Sequence, residues 1–133
     1  MDNLNGTIVA LTGAFGNLGL ATAQVLADRG AKVALIGRGR PPSSLPALLA
    51  QACVVGGVDL AERDAAQRAI DSIVNQLGGL NALVNIAGGF SWETVADGSA
   101  DTWERMFDVN VKTTLNASKA ALHHLTKSSG GRI

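Results

Sequence analysis

The chain has 133 residues, enough for one domain of ordinary size with its own hydrophobic core. Apolar residues make up 47% and charged residues 17%, against about 25% charged in a typical domain, so the composition is globular rather than disordered. Eleven acidic and eleven basic residues give no net charge, which argues against nucleic acid or an anionic membrane as a partner. No apolar run approaches the roughly 18 residues of a membrane span. The single cysteine, Cys53, allows no internal disulfide and no metal cluster, so we predict a cytoplasmic protein without a metal site.

The first part of the chain predicts two strands and a helix. TIVAL (residues 7–11) and KVALIG (32–37) are continuous apolar runs, typical of strands buried on both faces of a parallel sheet. Between them, LGLATAQVLADRG has helical spacing and ends at Gly30. Its predicted buried face consists of Leu18, Ala21, Val25 and Leu26. The Pro- and Ser-rich stretch RGRPPSSLP predicts a surface loop before a short helix near residues 47–51.

The second part continues the alternation. CVVGGVD is a weaker third strand, interrupted by glycines, and NALVNIAG is a fourth strand that ends in glycine. The segment ERDAAQRAIDSIVNQLG between them predicts an amphipathic helix. Its inward side chains are Ala66, Ile70, Ile73, Val74 and Leu77. A long helical segment, broken near its middle, then leads to SSGGRI, which predicts a turn and one or two extended residues.

Strands that alternate with helices predict parallel strands joined by right-handed crossovers. We therefore expect an α/β fold, a Rossmann-type doubly wound parallel sheet in three α/β/α layers, with strand order 3-2-1-4. Residues 1–133 are predicted to form one such domain, incomplete at its C-terminus because the sheet stops after the fourth strand and its helix. We expect the outer edge of that fourth strand to be unpaired.

The stretch TGAFGNLG (12–19) places three glycines directly after the first strand, where a parallel sheet of this type binds a dinucleotide. Gly13 would permit the tight turn, Gly16 would allow the pyrophosphate to approach the backbone, and Gly19 would let the helix pack on the strand. The N–H groups at the helix start would face the phosphates. A turn with only a structural role is the alternative.

Four segments in this order and at these distances resemble the short-chain dehydrogenase/reductase family over the entire chain. They are TGAFGNLG, GVDL, LVNIAG and MFDVNVKTTLNASKAAL. The resemblance implies an NAD(P)-dependent oxidoreductase that transfers hydride between the nicotinamide and a small-molecule carbonyl/alcohol pair. Two alternatives remain: a non-catalytic dinucleotide-binding module, and a fragment of an epimerase or dehydratase from the extended, sugar-nucleotide-modifying branch, whose glycine spacing is similar.

One residue of the glycine turn departs from the family pattern. Asn17 stands where the family most often has glycine, and asparagine is the residue that next best tolerates a left-handed backbone. We therefore expect the turn to survive the change.

The resemblance implies a cofactor site made of the glycine turn and the ends of the later strands. The turn would contribute Thr12, Gly13, Phe15, Gly16, Asn17, Leu18 and Gly19, and the strand ends would contribute Asp59, Leu60, Asn85, Ala87 and Gly88. Asp59 would accept a hydrogen bond from the adenine amino group, with a helix N-cap as the alternative. Asn85, Ala87 and Gly88 would lie against the nicotinamide-side ribose, or would form only the turn that ends the strand.

Arg38 bears on the choice between NADP and NAD. Gly37 stands where the family's NAD users carry an acid that binds the ribose hydroxyls, and the next residue is a cation that suits a 2′-phosphate. The alternative is a solvated loop arginine. We expect NADP as the favoured cofactor, with NAD as the other possibility.

Asn110 is the one catalytic residue of the family that the resemblance assigns here, as the asparagine that kinks the long helix and holds a water of the proton relay. Lys119 mimics the catalytic lysine, but Leu115 stands where the family's tyrosine belongs, so we expect Lys119 to be solvated. His123 and His124 are expected at the surface.

The family's serine and Tyr-x-x-x-Lys lie beyond a fifth strand, and the sequence has no tyrosine. We expect the chain as written to be inactive, and to associate into a homo-oligomer (a dimer or tetramer) through residues 102–127.

Overall fold

The computed structural model describes residues 3–133, which form a parallel four-stranded sheet with helices on both faces. The strands are β1 (Ile8–Leu11), β2 (Lys32–Ile36), β3 (Cys53–Val55) and β4 (Ala82–Val84). Their order is β3-β2-β1-β4, and every pairing is parallel. The predicted fold class and strand order are confirmed.

The helices follow the predicted alternation with the strands. They are α1 (Asn17–Asp28), α2 (Arg63–Leu77), α3 (Ala100–Phe107) and α4 (Thr113–Leu125), with a 3₁₀ turn at Ala47–Leu49. The π-helical segment Asp108–Lys112 joins α3 to α4 and is the break that the sequence predicts in the long helical region. Among residues 3–133 no helix is both long and apolar enough to cross a membrane.

Alternate side chains of the central strands enter two separate cores. Ile8 and Ala10 of β1 pack with buried residues of α2 and α4, whereas Val9 and Leu11 pack on the opposite face with α1 and the 3₁₀ turn. This is the period of two that a strand covered on both faces requires. Cys53 belongs to the α2 side, where burial raises the pKa of its thiol, and its Sγ donates to Gln76 Oε1 at 3.3 Å.

The predicted inward face of α2 is confirmed. Ala66, Ile70 and Ile73 are buried, and Val74 and Leu77 pack against them as partly buried residues. The hydrophobic spacing was sufficient here because the opposite face of this helix is charged, so only one side could pack on the sheet.

The predicted buried face of α1 is wrong at Leu18, Ala21 and Val25, and of that face only Leu26 packs inward. Leu18 is 67% exposed and Val25 is 52% exposed, while the fully packed positions are Gly19 and Ala23. Leu20 and Leu26 fill the remaining space as partly buried residues. Because α1 is apolar around much of its circumference, its orientation follows from the close approach of its small residues to the glycine turn, and spacing alone did not reveal it.

The extended residues predicted at the end of the chain lie beside β4. The Leu83 N–H donates to the Arg132 carbonyl at 3.0 Å, and the Arg132 N–H donates to the Asn81 carbonyl at 3.1 Å. Ala82 and Arg132 thus form a parallel bridge. The expectation of a wholly unpaired β4 edge is corrected at these residues.

Candidate functional site

The glycine turn between β1 and α1 is built from very close backbone approaches. Gly13 has a φ of +63°, and a Cβ on it would lie 2.7 Å from the Ala87 nitrogen. A Cβ on Gly19 would lie 2.6 Å from Ala14 Cα, so at this residue α1 packs directly against the turn. The Ala14 N–H donates to the Ile36 carbonyl at 3.0 Å, which ties the turn to β2. Side chains at Gly13 and Gly19 are therefore excluded by backbone atoms.

The expected left-handed conformation of Asn17 is wrong. Among residues 3–133 every residue with a positive φ is a glycine, and Asn17 is the first residue of α1. Gly13 makes the reversal by itself and Gly16 is extended (φ −83°, ψ 169°), so residue 17 already has a right-handed helical backbone that asparagine adopts without strain. The turn survives for this reason.

The start of α1 is suited to an anionic group. Its N-cap is Gly16, which has no side chain to accept from the first-turn N–H groups, and the first turn carries no acidic residue. These N–H groups have no partners within the helix, and the helix dipole adds positive potential to them. A phosphate approaching Gly16 would meet unsatisfied donors, and a Cβ there would find only Gly13 O, at 3.6 Å.

A groove of about 650 Å³ runs from this turn along the carboxyl ends of the strands. Ten of the predicted cofactor residues line it: Gly13, Gly16, Asn17, Leu18, Gly19, Arg38, Asp59, Leu60, Ala87 and Gly88. Parallel sheets bind ligands at this edge, outside the carboxyl ends of the strands and where the strand order reverses. The reversal here lies between β1 and β4. The size and the uncapped helix start fit an extended dinucleotide.

Thr12 and Asn85 lie behind the groove and organise its wall. Thr12 is 1% exposed, and its Oγ1 accepts from the N–H groups of Ile86 and Ala87, both at 3.1 Å. Asn85 donates through Nδ2 to Ser118 Oγ at 3.1 Å, while its buried Oδ1 has no partner among the residues that the structure describes. Thr12 thus fixes the end of β4 against the glycine turn. A direct contact of either residue with a cofactor stays a prediction.

Arg38 and Asp59 meet at one end of the groove. Arg38 Nη2 lies 3.7 Å from Asp59 Oδ2, and the Arg38 side chain is 78% exposed. Asp59 also accepts the Ala61 N–H through Oδ1 at 3.0 Å, whereas the N-cap of α2 is Glu62. The N-cap alternative for Asp59 is therefore wrong, because its carboxylate closes a local turn three residues earlier than the helix cap.

Asn110 joins the kinked helix to the loop after β4. Its Nδ2 donates to the carbonyls of Gly89 and Met106, both at 2.9 Å, and its Oδ1 accepts the Gly89 N–H at 3.1 Å. Asn110 lies within the π-helical segment that separates α3 from α4, and its part in kinking the helix stays a prediction. Its place in a proton relay stays a prediction.

Lys119, which mimics the catalytic lysine, and Leu115 before it lie outside the groove. Lys119 is exposed, as predicted, and Leu115 is 51% exposed. The expectation for His124 is wrong: its side chain is only 19% exposed, and Nε2 lies 3.2 Å from Asp71 Oδ1 of α2. His123 is exposed. Adjacent helical residues point in different directions, and the packing of α4 on α2 buries one of the two rings.

The sequence model of the short chain dehydrogenases matches residues 7–133. The chain belongs to the short chain dehydrogenase family. An uncharacterized oxidoreductase of Staphylococcus aureus strain MRSA252 is 34% identical over 135 residues, which cover 100% of this chain and 58% of that protein. The chain therefore spans a little over half the length of this relative.

Two solved structures illustrate the likeness in fold. Aldohexose dehydrogenase from Thermoplasma acidophilum, solved in ligand-free form, superposes with a TM-score of 0.83 at 29% identity, covering 94% of this chain and 46% of that chain. Carveol dehydrogenase from Mycobacterium avium, solved in complex with NAD, gives a TM-score of 0.80 at 27% identity, covering 96% of this chain and 52% of that one.

Several groove residues were missed by the sequence analysis. They include Val58, Ile86, Arg105, Asp108, Val109 and Thr113. A signal for part of this set was present, because Arg105, Val109 and Thr113 recur at steps of four and so share one helix face beside the predicted kink. Lys112 Nζ donates to Asp108 Oδ1 at 2.6 Å, and this hydrogen bond raises the pKa of Lys112. Across residues 3–133 no group of three His, Cys, Asp or Glu is placed to hold a metal ion.

Proposed function

We propose that the groove binds NADP(H) in preference to NAD(H), and that this chain is the cofactor-binding portion of an oxidoreductase acting on a small-molecule carbonyl/alcohol pair. The observation that carries the proposal is the shared groove. The glycine turn, the Arg38–Asp59 pair and the Ala87–Gly88 segment come from different strand ends and line one cavity. A dinucleotide bound to a sheet of this type has its pyrophosphate at the start of the first helix and its adenosine ribose beside a residue about 20 positions further along the chain.

Each part of the groove has a distinct task in this proposal. The uncapped N–H groups at the start of α1 donate to the pyrophosphate, and the absence of a side chain at Gly16 lets it approach. Ala87 and Gly88 provide a backbone wall for the nicotinamide-side ribose. Asn110 holds Gly89, and through it the same loop, against the kinked helix. The bound nicotinamide would supply the hydride donor or acceptor, while the protein supplies binding and orientation.

The preference for NADP rests on Gly37 and Arg38. An acid at residue 37 would bind the ribose hydroxyls of NAD and repel a 2′-phosphate, and this chain has none there. The exposed Arg38 guanidinium lines the same end of the groove and can donate two parallel hydrogen bonds to a phosphate.

A second candidate function, binding of a dinucleotide without its turnover, is supported by the groove, which by itself suffices for binding. Reduction of a carbonyl needs a proton donor at the developing alkoxide, and the family resemblance assigns that donor to a tyrosine. A chain that binds a dinucleotide without catalysing its turnover would need only the groove. Nucleotide binding is common to both candidates, whereas turnover separates them.

We also propose self-association and a cytoplasmic location. Large apolar side chains are exposed along α3, the π-helical segment and α4, at steps of four and seven residues. They are Trp103, Phe107, Val111, Leu115 and Leu122, and we call this set the apolar stripe. A second copy of the chain would bury them. The balanced charge and the single cysteine support the cytoplasm.

Calorimetric titration of the purified chain with NADPH and NADH tests the proposal. We expect one site per chain and a lower Kd for NADPH. Gly13→Val should abolish binding of both nucleotides, because its side chain would collide with the backbone of Ile86 and Ala87. Binding of neither nucleotide by the folded wild-type chain would refute the proposed function.

A further inference from the structure

The ring of Phe15 covers the end of β2. An ideal Cβ built on Gly37 would overlap three ring carbons of Phe15, Cγ, Cδ2 and Cε2. Gly37 is buried and lines the groove. The Phe15 ring occupies the space that a side chain at residue 37 would need. The contact joins the glycine turn to the strand end beside Arg38.

The surrounding hydrogen bonds leave little freedom for this contact to relax. The Gly37 N–H donates to the Val55 carbonyl, and the Gly37 carbonyl accepts the Val58 N–H, both at 3.1 Å. On the other side, the Ala14 N–H donates to the Ile36 carbonyl next to Phe15. The Phe15 ring packs partly buried against the core on the α1 face. A side chain at residue 37 would therefore have to displace the ring, because both backbones are held.

We infer that Phe15 is a positioning residue: its ring occupies the space beside Gly37 and so decides whether an acid at residue 37 could reach the adenosine ribose. Its ring keeps a carboxylate out of the end of β2, which leaves the 2′-position of the adenosine ribose to the Arg38 guanidinium. The packing contact thus prevents a change at residue 37 alone from producing an NADH preference, while Arg38 supplies the NADP preference of the wild-type chain. This inference rests on the proposed function.

A double-mutant cycle tests the coupling, with Kd values for NADPH and NADH measured by calorimetry. Gly37→Asp alone is expected to weaken both nucleotides by at least about tenfold, because the displaced ring enters the groove or solvent. Phe15→Ser alone retains the NADPH preference. The double variant regains NADH binding by at least about tenfold over Gly37→Asp and prefers NADH.

Gly39→Asp is the matched control. It adds the same charge two residues further along, at a position where nothing among the described residues lies within 4 Å of a built Cβ. Its effect should be the same with and without Phe15→Ser. If the effects of Gly37→Asp and Phe15→Ser simply add, or if Gly37→Asp alone shifts the preference as far as the double variant does, the inference is overturned.

Folding is followed in parallel by circular dichroism. Should Gly37→Asp fail to fold, recovery of the fold by Phe15→Ser together with NADH preference would support the inference, and recovery without a changed preference would reject it. If neither Gly37→Asp nor the double variant folds, Gly37→Ala is used in place of Gly37→Asp. The inference then requires that Gly37→Ala weakens NADPH binding when Phe15 is present and does not weaken it in the Phe15→Ser background. If the wild-type chain binds neither nucleotide, the proposed function fails, whereas binding without coupling removes only the inference.

Discussion

Asn110 bonds both backbone groups of Gly89: Nδ2 donates to its carbonyl at 2.9 Å and Oδ1 accepts from its N–H at 3.1 Å. A third bond, from Nδ2 to the Met106 carbonyl, anchors the same side chain within the helical segment. The amide therefore connects the loop that leaves β4 to the break between α3 and α4.

Replacement of Asn110 by alanine should destabilise the chain. Asn110→Ala removes all three bonds, and we expect the free energy of unfolding to fall by about 1–2 kcal/mol, since the site is partly solvated. Urea denaturation measures the change. Asn75→Ala, at an exposed asparagine within α2, is the control and should change stability by less than about 0.5 kcal/mol. Equal stability of the two variants would contradict a structural role for the amide.

Substitutions at Gly19 and Gly16 should have different effects, mainly on stability at Gly19 and mainly on nucleotide affinity at Gly16. A Cβ on Gly19 collides with backbone atoms of Gly13 and Ala14, so Gly19→Ala should lower stability by about 2–3 kcal/mol. Gly16→Ala meets only Gly13 O, at 3.6 Å, and should cost less than about 1 kcal/mol. Nucleotide affinity should nevertheless fall in Gly16→Ala, because the methyl group stands where the pyrophosphate would approach. Unchanged NADPH affinity in Gly16→Ala would place the pyrophosphate elsewhere.

Arg38 should affect NADPH and NADH unequally. Loss of a charge-assisted phosphate contact weakens NADPH by about ten- to hundredfold in Arg38→Ala, while NADH binding changes little. Arg40→Ala is the control, because Arg40 is an exposed arginine of the same loop. Calorimetry with both nucleotides measures the ratio. An equal loss for the two nucleotides would show that Arg38 acts on something other than the 2′-phosphate.

The apolar stripe should mediate self-association. We expect the wild-type chain to sediment as an oligomer and the double variant Phe107→Glu/Leu115→Glu to shift toward monomer, because the charges oppose burial. Val25→Glu provides a control of matched exposure, since Val25 is 52% and Leu115 is 51% exposed and Val25 lies on α1 outside the stripe. Identical sedimentation coefficients for all three proteins would reject the stripe as the interface.

The chain should bind the nucleotide without turning it over. The sequence contains no tyrosine, and Lys119, which only mimics the catalytic lysine, is exposed on α4. Incubation with NADPH and a panel of ketones and aldehydes should give no loss of NADPH absorbance above the rate without protein. A rate that rises in proportion to protein concentration would show that another residue supplies the proton.

The amino-acid sequence determined the fold of this protein to a large extent. Continuous apolar runs, the amphipathic α2 and the glycine turn are local signals, and right-handed crossovers leave few ways to order parallel strands, so the order 3-2-1-4 followed. Ten predicted cofactor residues line one groove because they lie at strand ends, which a parallel sheet brings to one edge.

The tertiary structure alone decided the close contacts between distant parts of the chain. The packed face of α1 depends on the approach of Gly19 to Ala14, and the burial of His124 depends on its contact with Asp71. Neither feature has a periodic signal in the sequence, because each depends on how two structural elements pack against each other. The contact of Phe15 with Gly37 could not be predicted for the same reason. An aromatic side chain in a turn and a glycine at a strand end come into contact only in the folded chain.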